Sequence, residues 1–293
     1  MLDFWTILTA ILVATSSAIL GSFLIMRKMA MVGDAISHAV LPGIVIAYWL
    51  TQSRASFPIL IGAAASGLLV TAFIQFFNKK VKLQQDASIG ISYTFLFSIG
   101  IILISVFSND VDLDQDCVLH GDIAQVSQGA ELIVGQLSLG PNQVWILAAN
   151  LVLVVLAVVL AYHKLIITTF DESFAAALGL NVVLWQYYLM AGVSITTVVS
   201  FQSVGAVLVI AFLVGPPATA YLITTRFRDL LMYAIIFGTS ASVFGYYFAV
   251  WIDGSIAGAI AAVIGLQFAV VFAIVRFKKR AGEVTTPEKL PIS

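Results

Sequence analysis

The stretch Met31-Val-Gly-Asp-Ala-Ile-Ser-His-Ala-Val-Leu-Pro-Gly43 places two ionisable side chains, Asp34 and His38, among apolar neighbours. Four residues of an α-helix correspond to about 400° of rotation, so both side chains project from nearly the same face. A charge at the centre of a bilayer costs roughly 2.5–3.5 kcal/mol on insertion scales, so such residues in membrane helices are usually functional. The stretch therefore predicts a membrane helix that handles something polar.

The composition of the whole chain indicates the same setting. Its 293 residues are 61% hydrophobic and only 10% charged, and the mean hydropathy is +1.05. Soluble domains are about half apolar and a quarter charged. These values exclude an ordinary soluble protein and predict an all-α, multi-pass membrane protein. The single cysteine, Cys117, excludes an internal disulfide and a cysteine-rich metal site.

Nine apolar segments reach about the 20 residues that a membrane-spanning helix needs. Between residues 183 and 224 two crossings must share one uncharged tract, so a tight reversal is expected near Gln202-Ser203-Val204-Gly205, and eight spans are the alternative count. Pro216 and Pro217 lack amide donors and are expected to disrupt the inner end of the seventh segment. The segments are Phe4–Met26, Met31–Leu50, Phe57–Phe77, Ala87–Phe107, Val144–Tyr162, Val183–Phe201, Val204–Thr224, Leu231–Trp251 and Ile256–Val275.

The distribution of basic residues predicts the orientation. In this arrangement only Arg54 lies on one side of the membrane, and by the positive-inside rule the other side is cytoplasmic. The N-terminus is then outside and the C-terminus inside. Residues 1–275 are expected to form a single membrane domain and residues 276–293 a basic cytoplasmic tail. The cytoplasmic basic residues are Arg27, Lys28, Lys79, Lys80, Lys82, Lys164, Arg226, Arg228, Arg276, Lys278, Lys279, Arg280 and Lys289.

An outer loop, residues 108–142, is strongly acidic and contains no lysine or arginine. It is interpreted either as a solvated loop or as a vestibule that attracts cations or docks a partner. His120 lies in this loop and is the histidine least expected to hold a transported ion. The acidic residues are Asp110, Asp112, Asp114, Asp116, Asp122 and Glu131.

A cytoplasmic loop, residues 164–184, is expected to contain a short helix. Thr169 or Asp171 can cap it, Asp171 and Glu172 suit its positive N-terminal end, and Gly179 suits its end. Such a helix either sits in a groove of another protein or lies on the bilayer. The pattern leaves both interpretations open.

Other polar residues of the spans are weaker candidates. Ser37 either supports the Asp34 and His38 pair or bonds to its own helix. The hydroxyl-rich stretch from Ser194 to Ser203 either lines a path or forms interhelical hydrogen bonds. The candidates for a path or gate are Ser37, Gln202, Ser203, Pro216 and Pro217.

Four stretches resemble the permease subunits of bacterial ABC importers for transition metals, the zinc, manganese and iron permease family called ABC-3. They are residues 33–43, 119–123, 171–179 and 198–220. One departure is His120, where an apolar aromatic residue is usual. The resemblance implies a permease fold like that of type II ABC importers, in the inner (plasma) membrane of a bacterium.

The resemblance also implies roles for residues and partners. Asp34 and His38 would coordinate the transported metal, and the 171–179 loop would be a coupling helix on an ATPase. The sequence has no Gly-x-x-x-x-Gly-Lys-Ser/Thr phosphate loop, so ATP hydrolysis is expected from a separate subunit. A homodimer and an extracytoplasmic metal-binding protein are expected, with no nucleic acid and no permanent cofactor. The implied coupling residues are Asp171, Glu172, Ala175, Ala176 and Gly179.

The ligand types restrict the metal. Mixed oxygen and nitrogen ligands suit manganese, zinc or ferrous iron, whereas the lack of a nearby thiolate argues against copper(I). Two protomers that share the pair would supply four ligands, which is a hypothesis. Because His38 must be neutral to donate its lone pair, acid should weaken metal binding. The alternative function is a gradient-driven secondary carrier, although no internal repeat is evident.

Overall fold

The computed structural model describes residues 2–51, 56–107, 123, 131–134 and 137–280. Almost all of them are helical, as the composition predicts. In chain order the elements are α1 (Leu2–Met26), α2 (Val32–Ala39), α3 (Leu41–Thr51), α4 (Ser56–Lys79), α5 (Gln85–Phe107), β1 (Glu131–Val134), β2 (Leu137–Pro141), α6 (Asn142–Phe170), α7 (Glu172–Ala177), α8 (Val182–Val204), α9 (Ala206–Tyr221), α10 (Phe227–Ile252) and α11 (Ile256–Arg280).

Eight helices in the described part of the chain are long and apolar enough to cross a membrane. Helices α2 and α3 count as one of these, Val32–Thr51, because the backbone stays helical through Val40. Helix α9 is also apolar but has only 16 residues. The prediction of a multi-pass helical membrane protein is therefore confirmed.

The two ends of the bundle differ in their polar contacts. At one end the Tyr246 hydroxyl donates to Asp3, near the start of α1. At the other end Arg27, just after α1, donates to the hydroxyls of Thr168 and Thr169 at the end of α6. The ring of Phe227, which begins α10, lies 4.7 Å from that of Phe23 at this same end. Helices α1 and α10 therefore run in opposite directions.

Helices α8 and α9 form a hairpin that reverses at one residue. Lys164 lies 5.2 Å above the ring of Trp185, so α8 begins at the end of the bundle that carries Arg27. Helix α9 ends shortly before Phe227, at that same end. Gly205, with φ 79° and ψ 161°, separates the two helices. The positive φ suits glycine, and the predicted tight reversal is confirmed.

Three boundaries differ from the sequence predictions. Helix α6 continues beyond Tyr162 to Phe170, since Leu165 and Thr168 are still buried against the bundle. Helix α11 continues through Arg280, so the predicted tail boundary at residue 276 falls inside a helix. The predicted disruption at Pro216 and Pro217 is wrong, because α9 runs on to Tyr221. Proline's fixed φ is compatible with a helix, and both prolines are buried.

The predicted outer loop contains strands that the sequence analysis missed. Strands β1 and β2 pair antiparallel, with Ile133 opposite Ser138 and Val134 opposite Leu137. Two short apolar runs separated by Gly135-Gln136 were the available signal, because such spacing is typical of hairpins. Several predicted features lie outside the described residues, namely Arg54, Cys117, His120, the acidic residues 110–122 and the end of the tail, residues 281–293.

Candidate metal site

Helix α2 buries one face, and Asp34 and His38 lie on its other face. Asp34 and His38 remain partly accessible, with 32% and 39% of their side chains exposed. His38 Nε2 lies 3.5 Å from Asp34 Oδ1, so the two side chains meet as the spacing predicts. The buried residues of α2 are Val32, Gly33, Ala35, Ile36, Ser37 and Ala39.

The separation of these two atoms suits joint coordination of one cation. Zinc ligands lie about 2.1 Å from the metal, so two of them are roughly 3.4 Å apart in a tetrahedral arrangement. Within the described residues no group of three or more histidine, cysteine, aspartate or glutamate side chains comes together. The pair can thus hold a cation but supplies only part of a coordination shell.

Two aromatic rings of α5 flank the imidazole of His38. The ring centroids of Tyr93 and Phe97 lie 5.9 and 5.8 Å from it. Their packing restricts the orientation of the imidazole, which a metal ligand requires. The sequence analysis missed both residues. The available signal was their own spacing of four, which matches that of Asp34 and His38 on α2.

An exposed groove on α5 lies beside these rings. It is lined by small or polar residues and by two larger apolar ones. Gly90 and Thr94 precede Tyr93 and Phe97 by three residues each on the same helix, so one edge of the groove borders the wall of the site. The lining residues are Gly90, Ile91, Thr94, Phe95 and Ser98.

Backbone hydrogen bonding is locally altered around the pair. The hydroxyl of Ser37 donates to the backbone carbonyl of Asp34, so Ser37 bonds to its own helix. Pro42 lacks the amide hydrogen that would normally pair with the carbonyl of His38. This missing bond accounts for the boundary between α2 and α3 at Val40.

Part of the hydroxyl-rich stretch of α8 forms the predicted interhelical hydrogen bonds. Ser194 Oγ donates to the carbonyl of Ala64, and Thr196 Oγ1 lies 3.4 Å from Asn150 Oδ1, so both make interhelical bonds. Thr197 and Ser200 are buried hydroxyls without a hydrogen-bond partner among the described residues. Interhelical bonding therefore explains only part of the stretch.

The remaining path candidates lie on α8 and α9. Ser203 is buried and lies about 13 Å along α8 from Ser194, which packs near α2. Pro216 and Pro217 are buried in α9. Gln202 lies in α8, but its side chain is outside what the structure describes.

The predicted short cytoplasmic helix is present as α7. Asp171 caps it by accepting hydrogen bonds from the Ser173 hydroxyl at 2.6 Å and the Phe174 amide at 2.8 Å. These bonds, the Ser173 bond foremost, lower the pKa of the Asp171 carboxyl. Gly179, at φ 76°, lies just beyond the helix end. Of the implied coupling residues, Ala175 is buried, whereas Glu172 and Ala176 are exposed.

Arg27 connects this loop to α1. Its Nε and Nη2 atoms donate to Thr169 Oγ1 at 3.0 Å and Thr168 Oγ1 at 3.1 Å. Burial lowers the pKa of Arg27 to about 10, and the nearby Glu172 carboxylate opposes that shift. The guanidinium is therefore still charged at neutral pH. The sequence analysis used Arg27 only as a marker of orientation and missed this contact.

The chain matches the ABC 3 transport family over residues 2–276. It is 44% identical over 268 residues to the manganese transport system membrane protein MntD of Bacillus subtilis (strain 168), covering 92% of this chain and 90% of that protein. It is 37% identical over 267 residues to the zinc transport system membrane protein TroD of Treponema pallidum (strain Nichols), covering 91% of this chain and 72% of that protein.

A solved structure has the same fold. A chain of PsaBC from Streptococcus pneumoniae in complex with Fab superposes with a TM-score of 0.75 at 30% identity, and 94% of each chain is covered. The resemblance inferred from four short stretches is thus confirmed over almost the whole length. The chain belongs to the ABC 3 transport family.

Proposed function

We propose that this chain is the permease subunit of an ATP-binding-cassette importer that carries a divalent transition metal, manganese or zinc, into the cytoplasm. The observation that carries the proposal is the Asp34 and His38 pair, 3.5 Å apart and partly accessible on a membrane helix. The relatives named for manganese and zinc transport support these two metals, whereas ferrous iron rests on ligand chemistry alone. Membership of an ABC family argues against the gradient-driven carrier.

The energy source is a separate ATPase that docks on α7. The sequence has no phosphate-binding loop of its own. Phe174 and Leu178 expose 53% and 55% of their surface on the loop around α7. Exposed apolar side chains on a capped helix suit docking in a groove of a partner. Asp171, Glu172 and Gly179 shape this loop, and Ala175 and Ala176 keep the helix narrow.

The chain crosses the membrane nine times, with the N-terminus outside and the C-terminus inside, in the inner membrane of a bacterium. In support, α1 begins beside Tyr246, near the end of α10. Helix α11 runs antiparallel to α10, because Ile260 packs on Gly245 and Gln267, later in α11, bonds to Ser240, earlier in α10. Helices α1 and α11 therefore both begin at the Tyr246 end of the bundle and both finish at the opposite end. An odd number of crossings follows, and α9 must be one of them.

The metal site is shared by two copies of the chain around a two-fold axis. Two ligands per chain leave a coordination shell incomplete, and a second pair would supply four. The partial exposure of Asp34 and His38 leaves them available to a second copy. The groove of α5, beside the rings that flank His38, provides a surface for that copy.

The remaining assignments concern the path to this site. The acidic outer loop, residues 108–142, attracts cations and faces an extracytoplasmic metal-binding protein. Ser203, Gln202, Pro216 and Pro217 belong to the α8 and α9 hairpin, which lines the rear of the site. Ser37 serves only the local geometry of α2, because its hydroxyl bonds to the backbone of Asp34.

The test is uptake of manganese and zinc by vesicles that contain the chain, its ATPase and its binding protein. Asp34→Ala and His38→Ala should each abolish ATP-dependent uptake while the complex still assembles. Gln267→Ala is the matched control, since Gln267 is a polar residue of a membrane helix remote from the pair. Unchanged uptake in the two site variants would place the ion path elsewhere. Uptake that follows an ion gradient without ATP would support the carrier instead.

A further inference from the structure

The backbone beside Asp34 rests directly on Leu213 of α9. A side chain at Gly33 would overlap Cδ2 of Leu213, whereas Cγ of Leu213 would lie 3.7 Å from it. Leu213 is only 1% exposed, so neighbouring residues surround its side chain. The Leu213 side chain therefore sets how closely the first turn of α2 approaches α9.

The backbone of Leu213 is itself held against α1. Pro217 lacks the amide hydrogen that would pair with the carbonyl of Leu213 in a regular helix. A Cβ at Gly21 would overlap this same carbonyl oxygen, so the backbone of α1 lies directly against it. Weak Cα–H···O contacts recur at such helix interfaces. Leu213 thus contacts α1 through its backbone and α2 through its side chain.

A second contact supports α2 from α4 and α8. A Cβ at Gly67 would overlap Ser194 Oγ and would lie 3.3 Å from Cγ2 of Ile36. Ile36 lies between Asp34 and His38 in the sequence and faces the buried side of α2. Both arms of the hairpin that reverses at Gly205 therefore stand behind the pair.

We infer that Leu213 and Gly33 are positioning residues for the metal ligands, which they hold in place through the backbone of α2. The inference rests on the proposed assignment of Asp34 and His38 as metal ligands. The absence of a side chain at Gly33 allows α2 to approach α9 closely, and the length of the Leu213 side chain sets the distance between the two helices. A displacement of α9 moves the backbone next to Asp34 because no gap separates them.

The experiment uses the complete transporter in vesicles and five variants, one of which is Asp34→Asn at a proposed ligand. Gly33→Ala introduces the overlap, Leu213→Val removes the δ carbons, and the double variant combines the two changes. Gly265→Ala is the matched control, because nothing lies within 4 Å of a Cβ at that position. The measurements are KM and maximal rate for Mn²⁺ uptake, Mn²⁺ binding by electron paramagnetic resonance, and the amount of assembled complex.

Gly33→Ala should raise KM and weaken Mn²⁺ binding about tenfold at normal assembly, since residues that support metal ligands typically contribute 10–100-fold in affinity. The double variant should return to within about threefold of wild type, because valine lacks the overlapping Cδ2 and a carbon at the position of the leucine Cγ, 3.7 Å away, makes an ordinary contact. Gly265→Ala should match wild type. A normal KM in Gly33→Ala, or a double variant no better than the single one, would overturn the inference.

Further outcomes distinguish a folding defect, and a failure of the metal site itself, from a failure of the positioning role. If Gly33→Ala does not assemble, a double variant that assembles with near-normal KM supports the contact, and one that also fails to assemble overturns it. Asp34→Asn with normal Mn²⁺ binding would reject the metal site. Loss of binding in Asp34→Asn beside a normal Gly33→Ala would reject only the positioning role.

Discussion

Helices α5 and α11 both lie at the edge of the bundle, but their exposed faces differ in chemistry. Only 22% of the apolar window of α5 and 17% of that of α11 is buried, against 72% for α1. Between residues 259 and 275 of α11 the single polar side chain is Gln267, which donates to Ser240. Helix α5 instead exposes the hydroxyl-bearing residues Thr94 and Ser98. A similar degree of exposure thus conceals two different surfaces.

The position of the Asp34 and His38 pair explains this difference. Tyr93 and Phe97 of α5 contact His38, so the α5 edge is continuous with the site. Helix α11 packs on α9 and α10, behind the site. We expect the α5 edge to face a second copy of the chain and the α11 edge to face lipid. Exposure alone does not distinguish these two environments, whereas the neighbouring residues do.

The largest expected effect is that of a charge on the α11 edge. Val270 is 49% exposed, and Val270→Arg should reduce insertion by about 2.5–3.5 kcal/mol if this face lies in hydrocarbon. The measurement is the inserted fraction in a membrane-insertion assay, with Val270→Leu as the control. Normal insertion and uptake in the arginine variant would remove the distinction between the two edges.

A bulky residue in the α5 groove should have the next largest effect. Ser98→Leu fills space that the second copy needs, and overpacking costs about 1–3 kcal/mol, so assembly and uptake should fall about tenfold or more. Ala262→Leu makes a similar change on the exposed face of α11 and should leave uptake within about twofold. Equal behaviour of the two variants in uptake and in dimer content would contradict the assignment of α5.

Cysteine cross-linking sharpens the comparison without altering packing. In a Cys117→Ser background, Ser98→Cys should give a disulfide-linked dimer in membranes, since cysteines bridge when their Cα atoms are within about 7 Å. Val270→Cys should stay monomeric under the same oxidation. The result is measured by non-reducing electrophoresis. A dimer from Val270→Cys would exchange the roles assigned to the two edges.

The smallest effect concerns Gln267, the single polar side chain between residues 259 and 275 of α11. Gln267→Leu removes a bond of 3.1 Å to Ser240, and such interhelical bonds average about 0.6 kcal/mol in membranes. Thr94→Val on α5 should change stability less, because the Thr94 hydroxyl donates to the carbonyl of Gly90 in its own helix. Denaturation in mixed micelles measures both. A larger loss for Thr94→Val would mean that its hydroxyl serves another helix.

Most of the fold was predictable because hydropathy alone places membrane helices. The reversal at Gly205 followed from the length of one uncharged tract. Boundaries set by tertiary packing were not predictable. Helix α6 continues to Phe170 because Leu165 is buried by neighbouring helices, and Pro217 remains inside α9 despite its missing donor. Neither outcome depends on local sequence alone.

The candidate site was predictable only in part, for a related reason. Asp34 and His38 stand out because an acid and an imidazole are rare in an apolar helix. Tyr93 and Phe97 do not stand out, because aromatic residues are common in membrane spans. The contact of Gly33 with Leu213 joins residues far apart in the chain. The sequence therefore identifies the proposed ligands, but not the residues that we infer to position them.

Arg27 links α1 to the end of α6, just before α7. Its planar guanidinium donates to two hydroxyls of α6 at 3.0 and 3.1 Å. This two-point contact resists both sliding and twisting of α6 relative to α1, which a lysine ammonium would not do. From there α1 leads to Gly21, which lies against Leu213, and Leu213 lies against Gly33. A force applied at α7, where we propose that the ATPase docks, would therefore be carried by direct contacts as far as the backbone beside Asp34.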